Sequence, residues 1–146
     1  MMIYRCCQNK QRIVEADPTE QGERALLNLG HTIGHAIEKL KDFSLLHGEC
    51  VSIGMVAAAY LSYKKGMLSL ESVEEVKDTL SAYHLPVSVS GLVDTDILQA
   101  TKNDKKMLGN SIKFILFSSL TSSYIDTSVT EEEMLEAINY VIVEHE

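Results

Sequence analysis

Asn28-Leu29-Gly30-His31-Thr32-Ile33-Gly34-His35-Ala36, with Leu46-His47-Gly48-Glu49 a little further along, is the most unusual part of this chain. The first segment reads as part of a helix. Asp17-Pro18-Thr19-Glu20 marks its start, with Asp17 as N-cap, Pro18 at the first helical position and Glu20 placed to reach back. The helix is expected to run to about Leu40. Gly22, Gly30 and Gly34 each weaken such a helix by about 1 kcal/mol where exposed, so close packing against another backbone or a ligand is expected to offset them. On a continuous helix, Glu20, Arg24, Asn28, His31, His35 and Glu38 fall within about an 80° arc. Leu26, Leu27, Leu29, Ile33 and Ile37 lie mainly outside it. A solvated face is the ordinary meaning of a polar stripe. Histidine and asparagine are poor helix-surface choices, however, and the flanking glycines would admit another segment or a ligand.

His31 and His35, at i and i+4, project from one face and could both ligate one metal ion. The pair lacks the HExxH arrangement, so the glutamate that activates water in zinc proteases is not supplied. His47 stands at a helix entrance, where it reads either as a cap residue or as a further imidazole for the same site. Two histidines leave a zinc ion short of ligands, and no third protein ligand stands out. His84 and His145 at helix ends read as structural or solvated. Tyr60, Tyr63 and the methionines at helical spacing read as core.

Outward from this stretch the pattern stays helical. Gly48 to Lys64 is apolar nearly all round through Val51, Ile53, Met55, Val56, Ala57 to Ala59, Tyr60 and Leu61, which places it in the middle of a bundle. Ser69 to about Tyr83 is amphipathic through Leu70, Val73, Val76 and Leu80, and His84-Leu85-Pro86 stops it. Asp94 to Lys102 reads as a short helix, Lys113–Phe117 and Ser123–Thr127 as a hairpin of two strands. Thr130 with Glu133 forms a capping box for a last helix to about Val143. Ile3, Ile13 and Val14 in the first 16 residues suggest part of a further helix. The expected fold is a mainly α, bundle-like domain with a small two-stranded β element, one domain over residues 1–146.

The composition fits that reading. Of 146 residues, 45% are hydrophobic and 23% charged, which is ordinary for a globular chain long enough to bury a core. Two prolines and no repeat exclude fibrous or disordered classes. A net charge of −8 argues against general affinity for nucleic acid or anionic membranes. The cluster of Lys102, Lys105 and Lys106 leaves room for a local anion site, or for a solvated loop. Cys6, Cys7 and Cys50 form no CxxC and no secreted disulfide framework. Without a signal peptide or an apolar run of about 18 residues, a soluble, cytoplasmic setting is expected.

The runs LLNLGHTIGHAIE and LLHGECVSIGM resemble the signature of the 3-dehydroquinate synthase family. Lys10, Asp17, Glu20, Gly22 and Arg24 fall at the family's spacing. Asn103-Asp104-Lys105-Lys106, followed by Ile112-Lys113-Phe114-Ile115-Leu116, resembles its late lysine loop and strand. The resemblance covers nearly the whole chain, and the combination of two histidine motifs with the lysine loop is highly specific. Cys50 stands where the family commonly has alanine.

The resemblance implies the family's C-terminal, metal-binding domain. His31 and His47 would be two ligands of Zn2+, or of another divalent ion such as Co2+, and His35 would work at the reacting centre. Lys10, Arg24, Asn28, His35 and the Lys105/Lys106 pair would hold the substrate's carboxylate and phosphate. Lys10 and Glu20 would join His35 as catalytic groups, Glu20 orienting substrate. The implied lyase reaction, in the shikimate pathway to aromatic amino acids, converts 3-deoxy-D-arabino-heptulosonate 7-phosphate into 3-dehydroquinate and phosphate. NAD transiently oxidises an alcohol, phosphate leaves, NADH restores the alcohol and an aldol step closes the ring. Nothing in these residues resembles the family's NAD-binding domain or supplies its glutamate zinc ligand. The expectation is a chain inactive alone, partnered by an NAD-binding half in trans and self-associating through exposed apolar surface. Rival readings are a related sugar-phosphate cyclase, such as 2-deoxy-scyllo-inosose synthase, and a non-catalytic helical domain.

Overall fold

The computed structural model describes residues 1–20, 22–106 and 112–144, with the backbone alone at Lys105 and Lys106. The order is α1 (Met2–Ala16), a 3-10 helix (Glu23–Asn28), α2 (His31–Leu40), α3 (His47–Lys64), α4 (Leu70–Ala82), α5 (Asp94–Lys106), β1 (Phe114–Ser119), β2 (Ser122–Asp126) and α6 (Glu131–Val141). The fold is mainly helical with one antiparallel pair of strands, as expected. Among the described residues no helix is long and apolar enough to cross a membrane.

The buried helix α3 is the axis of the domain. Cys50, Ile53, Val56, Ala57 and Leu61 contribute to a core completed by Ile33, Ala36 and Ile37 of α2, Ile97 of α5, Phe114 and Leu116 of β1, and Met134, Ala137, Ile138 and Val141 of α6. A hydrophobic surface on all sides is what lets one helix serve this many neighbours. Cys50 is fully buried, whereas Cys6 and Cys7 are exposed on α1. Tyr60 stacks on Tyr140 with ring centres 4.1 Å apart. Tyr63 departs from its expected core position: 36% of it is exposed, at the last turn of α3.

Two helices start on side-chain caps, the Thr130–Glu133 box that was expected and a cap at Ser69 that was not. Ser69 Oγ accepts the Ser72 N–H at 3.1 Å. Thr130 Oγ1 accepts the Glu133 N–H at 3.2 Å, while Glu133 accepts the Thr130 N–H at 2.8 Å. At α3, Glu49 accepts the Leu46 N–H at 2.8 Å and closes that helix start from within.

The expected continuous helix from Asp17 to Leu40 is not formed. Asp17 follows the end of α1, Glu20 takes φ 57° and Gly30 φ 80°, and only the 3-10 helix lies between them. Asp17 does cap, but for a different helix: its Oδ2 accepts N–H groups of Gly22 at 2.7 Å and Arg24 at 3.1 Å, at the start of the 3-10 segment. The left-handed break at Gly30 turns α2 so that it crosses α3 backbone to backbone. A Cβ on Gly30 would lie 2.6 Å from the Val51 carbonyl oxygen, and one on Gly34 would lie 2.9 Å from that of Cys50. The expected close packing therefore holds for Gly30 and Gly34. It does not hold for Gly22, where a Cβ would meet the Asp17 carboxylate at an ordinary 3.8 Å. α5 also runs one turn past its expected end, to Lys106.

The hairpin pairs Phe114 with Asp126, Ile115 with Ile125 and Leu116 with Tyr124. It is anchored to α3 by Ser62, which is fully buried; its Oγ donates to Ala58 O and accepts the Phe117 N–H at 2.9 Å. Ser62→Ala strands that buried N–H. The expected loss is about 1–3 kcal/mol, read from the urea midpoint; an unchanged midpoint would mean that water reaches the amide.

A candidate metal and substrate site at the start of two helices

His31 is the first residue of α2, His35 lies one turn along it, and His47 is the first residue of α3. The crossing of the two helices brings the three rings together, with centroids 5.2 to 5.4 Å apart. One nitrogen from each ring can be chosen so that all three lie within 4.8 Å of one another. Zinc binds imidazole at about 2.0–2.1 Å, so small rotations of exposed rings would bring such atoms onto one ion. His31 is half-buried, and His35 and His47 are exposed. His35 thus stands within reach of the same point as His31 and His47, beside its implied role toward substrate.

A cavity of about 570 Å³ opens beside the rings, lined by Glu20, Asn28, His31, Thr32, His35, Asp104 and Lys113 among others. A second hollow of about 360 Å³ shares Glu20, Asn28 and His31 with it, and adds Lys10 and Arg24. Most of the polar stripe thus lines these two hollows, although no single helix carries it: the loop at Glu20, the 3-10 helix and α2 each supply part, and α1 adds Lys10. Asn28 Nδ2 donates to Glu20 Oε1 at 2.5 Å, and Arg24 Nη1 donates to Pro18 O at 2.7 Å. A glutamate at positive φ is strained, and the carboxylate's bond to Asn28 helps to hold it there. Glu38 belongs beside His47 rather than in the cavity lining, with Oε2 3.2 Å from His47 Nδ1. The side chains of Lys105 and Lys106 lie outside the described residues, as does His145.

Three lining residues, Thr101, Asp104 and Lys113, had no site role in the sequence reading, although Asp104 and Lys113 stand in the motifs that carry the family resemblance. Lys113 stands at the mouth of the apolar strand β1, and its carbonyl accepts the Thr32 hydroxyl at 3.3 Å. Asp104 is ion-paired with Lys39, which ties α5 to α2, and Thr101 lies on the α5 wall. A lysine immediately before a continuous apolar run was the available signal for Lys113.

Burial, then the neighbouring His31 and His47, push the His35 pKa below its ordinary 6.5, against Glu38 and Asp104, which raise it. The folded state therefore takes up the His35 proton at lower pH than the unfolded chain does. This contribution to stability is present above about pH 6.5 and is lost as pH falls toward the lowered folded value. His35→Gln should flatten the stability profile in that window, measured by urea unfolding at successive pH values. A slope identical to wild type would locate the titration elsewhere.

Fold and site together define a mainly helical domain with a histidine cluster at the edge of an open polar groove. The family model of the 3-dehydroquinate synthase C-terminal domain matches residues 1–107, and the chain belongs to that family. It is 42% identical over 144 residues to 3-dehydroquinate synthase of Legionella pneumophila (strain Philadelphia 1), covering 97% of this chain and 39% of that protein. To the enzyme of the same name from Acinetobacter baumannii (strain AYE) it is 43% identical, covering 93% of this chain and 38% of that protein. The chain thus spans well under half the length of these relatives. Among solved structures, 2-epi-5-epi-valiolone synthase of Streptomyces hygroscopicus subsp. jinggangensis 5008, with NAD+ and Zn2+ bound, superposes with a TM-score of 0.83 at 23% identity, covering 94% of this chain and 38% of that one. A 2-deoxy-scyllo-inosose synthase complexed with carbaglucose-6-phosphate, NAD+ and Co2+ gives 0.79 at 21% identity, covering 95% and 40%. These likenesses extend the fold to relatives of different name.

Proposed function

We propose that residues 1–146 form the metal- and substrate-binding domain of a 3-dehydroquinate synthase, acting on 3-deoxy-D-arabino-heptulosonate 7-phosphate to give 3-dehydroquinate and phosphate. The observation that carries this is the meeting of His31, His35 and His47 at a groove that also holds Glu20 and Asn28, with Lys10 and Arg24 in the adjoining hollow. His31 and His47 would hold the divalent ion, Zn2+ or Co2+, and the nitrogen-rich donor set suits either. Bound there, the ion supplies Lewis acidity to a substrate oxygen.

The chain's own residues do the rest. Lys10 and Arg24 clamp anionic groups, Arg24 with the planar fork that matches a carboxylate. Asn28 and Glu20 orient hydroxyls through the pair they already form. His35, with its lowered pKa, is largely neutral at neutral pH and can accept a proton from substrate. By the family resemblance, Lys105 or Lys106 would add a further phosphate contact. NAD would be held by a nucleotide-binding half that these residues do not provide, so the chain by itself should not turn over. The cationic set of Lys10 and Arg24 favours a substrate bearing both carboxylate and phosphate over the cyclase alternative.

The test mixes this chain with the nucleotide-binding half of the Legionella pneumophila relative, NAD+, Zn2+ and the heptulosonate phosphate, and follows phosphate release. Release from the mixture but not from either part supports the reading. Release from glucose 6-phosphate instead would reassign the substrate to the cyclase class. No turnover in a folded complex would point to a non-catalytic domain.

A further inference from the structure

Resting on the metal reading above, we infer that Glu38 is the positioning residue for His47: its carboxylate fixes the ring's tautomer and orientation, so that Nε2 is the atom offered to the ion. Glu38 lies on α2, one turn beyond His35, with only 17% of its side chain exposed, and its Oε2 is 3.2 Å from His47 Nδ1. An ionised carboxylate accepts hydrogen bonds and donates none. The contact therefore requires a proton on Nδ1, and in the neutral ring that leaves the lone pair on Nε2. His31 is treated in the same way by a different acceptor, the Leu29 carbonyl, 3.3 Å from its Nδ1. His35 has no hydrogen-bond partner for its ring among the described residues. The three rings are thus not equivalent: two are tautomer-locked from behind and one is free.

The difference between the two locks is informative. A backbone carbonyl on His31 comes with the helix and needs no particular side chain. His47 is 52% exposed by its side chain and sits at the end of a loop, where Glu38 is the one hydrogen-bond partner of its ring among the described residues. A buried-side carboxylate behind an exposed imidazole both orients the ring and raises its basicity as a ligand, and loss of such an outer partner typically weakens metal affinity by about 10–100-fold.

Two measurements on the full chain test this. Long-range 1H–15N correlation spectra of the metal-free protein, at a pH where His47 is neutral, should show the proton on Nδ1. In Glu38→Ala it should move to Nε2, the form free imidazole side chains favour, and Glu38→Gln should retain Nδ1 because its amide oxygen still accepts. In Co2+ titrations followed by visible absorption, Glu38→Ala should bind about 10–100-fold more weakly, with Glu38→Gln recovering much of the loss. On a His47→Ala background, Glu38→Ala should add nothing further. A tautomer unchanged in Glu38→Ala, or a Co2+ effect equally large without His47, overturns the inference. If neither His31→Ala nor His47→Ala weakens Co2+ binding, the metal reading itself fails and takes this inference with it. If both weaken it and Glu38→Ala does not, only the role of Glu38 falls.

Discussion

Gly54→Ala is expected to destabilise the domain by about 3 kcal/mol or more, beyond the common range for an overpacked core. A Cβ at this position would collide with the Gly30 carbonyl oxygen and approach the Gly34 nitrogen to 2.9 Å. Both neighbours are backbone, so no side chain can rotate away, and the only relief is to push α2 off α3. That displacement would also separate His31 and His35 from His47. Gly48→Ala is the matched control on the same helix. Nothing lies within 4 Å of a Cβ there, so the higher helix propensity of alanine should leave stability unchanged or raise it by up to about 1 kcal/mol. Urea midpoints for the two variants should therefore move in opposite directions or differ sharply in size. Equal midpoints would show that the helix crossing can open at little cost.

The second large effect is expected for His31→Ala. Losing a direct ligand should weaken Zn2+ or Co2+ binding by more than the roughly 100-fold upper end for outer-partner loss. In the reconstituted mixture with NAD+ it should abolish phosphate release. His84→Ala is the control: it sits beyond the end of α4, outside the histidine cluster, and should leave both readouts at wild-type values. Full metal retention in His31→Ala would move the ion to another group of donors.

How far the sequence carried this picture depended on whether a signal was local. The capping box of Thr130 and Glu133 was readable because cap and partner lie three residues apart. The all-apolar surface of α3 announced its central place. Asp17 was readable as a cap but not as the cap of a particular helix, since the same residue can serve whichever N–H groups the chain brings to it. The break at Gly30 is a tertiary matter: it exists because two backbones touch there, and helical periodicity alone runs straight through it. Of the candidate site, the histidines and Glu20, Arg24 and Asn28 could be named from their spacing, even though the single helix used to align them does not form. Thr101, Asp104 and Lys113 could not be placed there by spacing, because they reach the groove from a part of the chain far away in sequence; only the family resemblance drew attention to the segments of Asp104 and Lys113.

That unequal origin gives the two walls of the groove different dependence on the rest of the protein. The histidine wall comes from one helical hairpin, α2 and α3, whose short connection makes closure entropically inexpensive. The lysine and aspartate wall forms only when α5 and β1 have docked. During folding the imidazoles can meet early, as a local event of low contact order, while the remainder of the pocket waits for long-range assembly. An ion captured at that stage would act as a seed, favouring the hairpin before the substrate side of the groove exists.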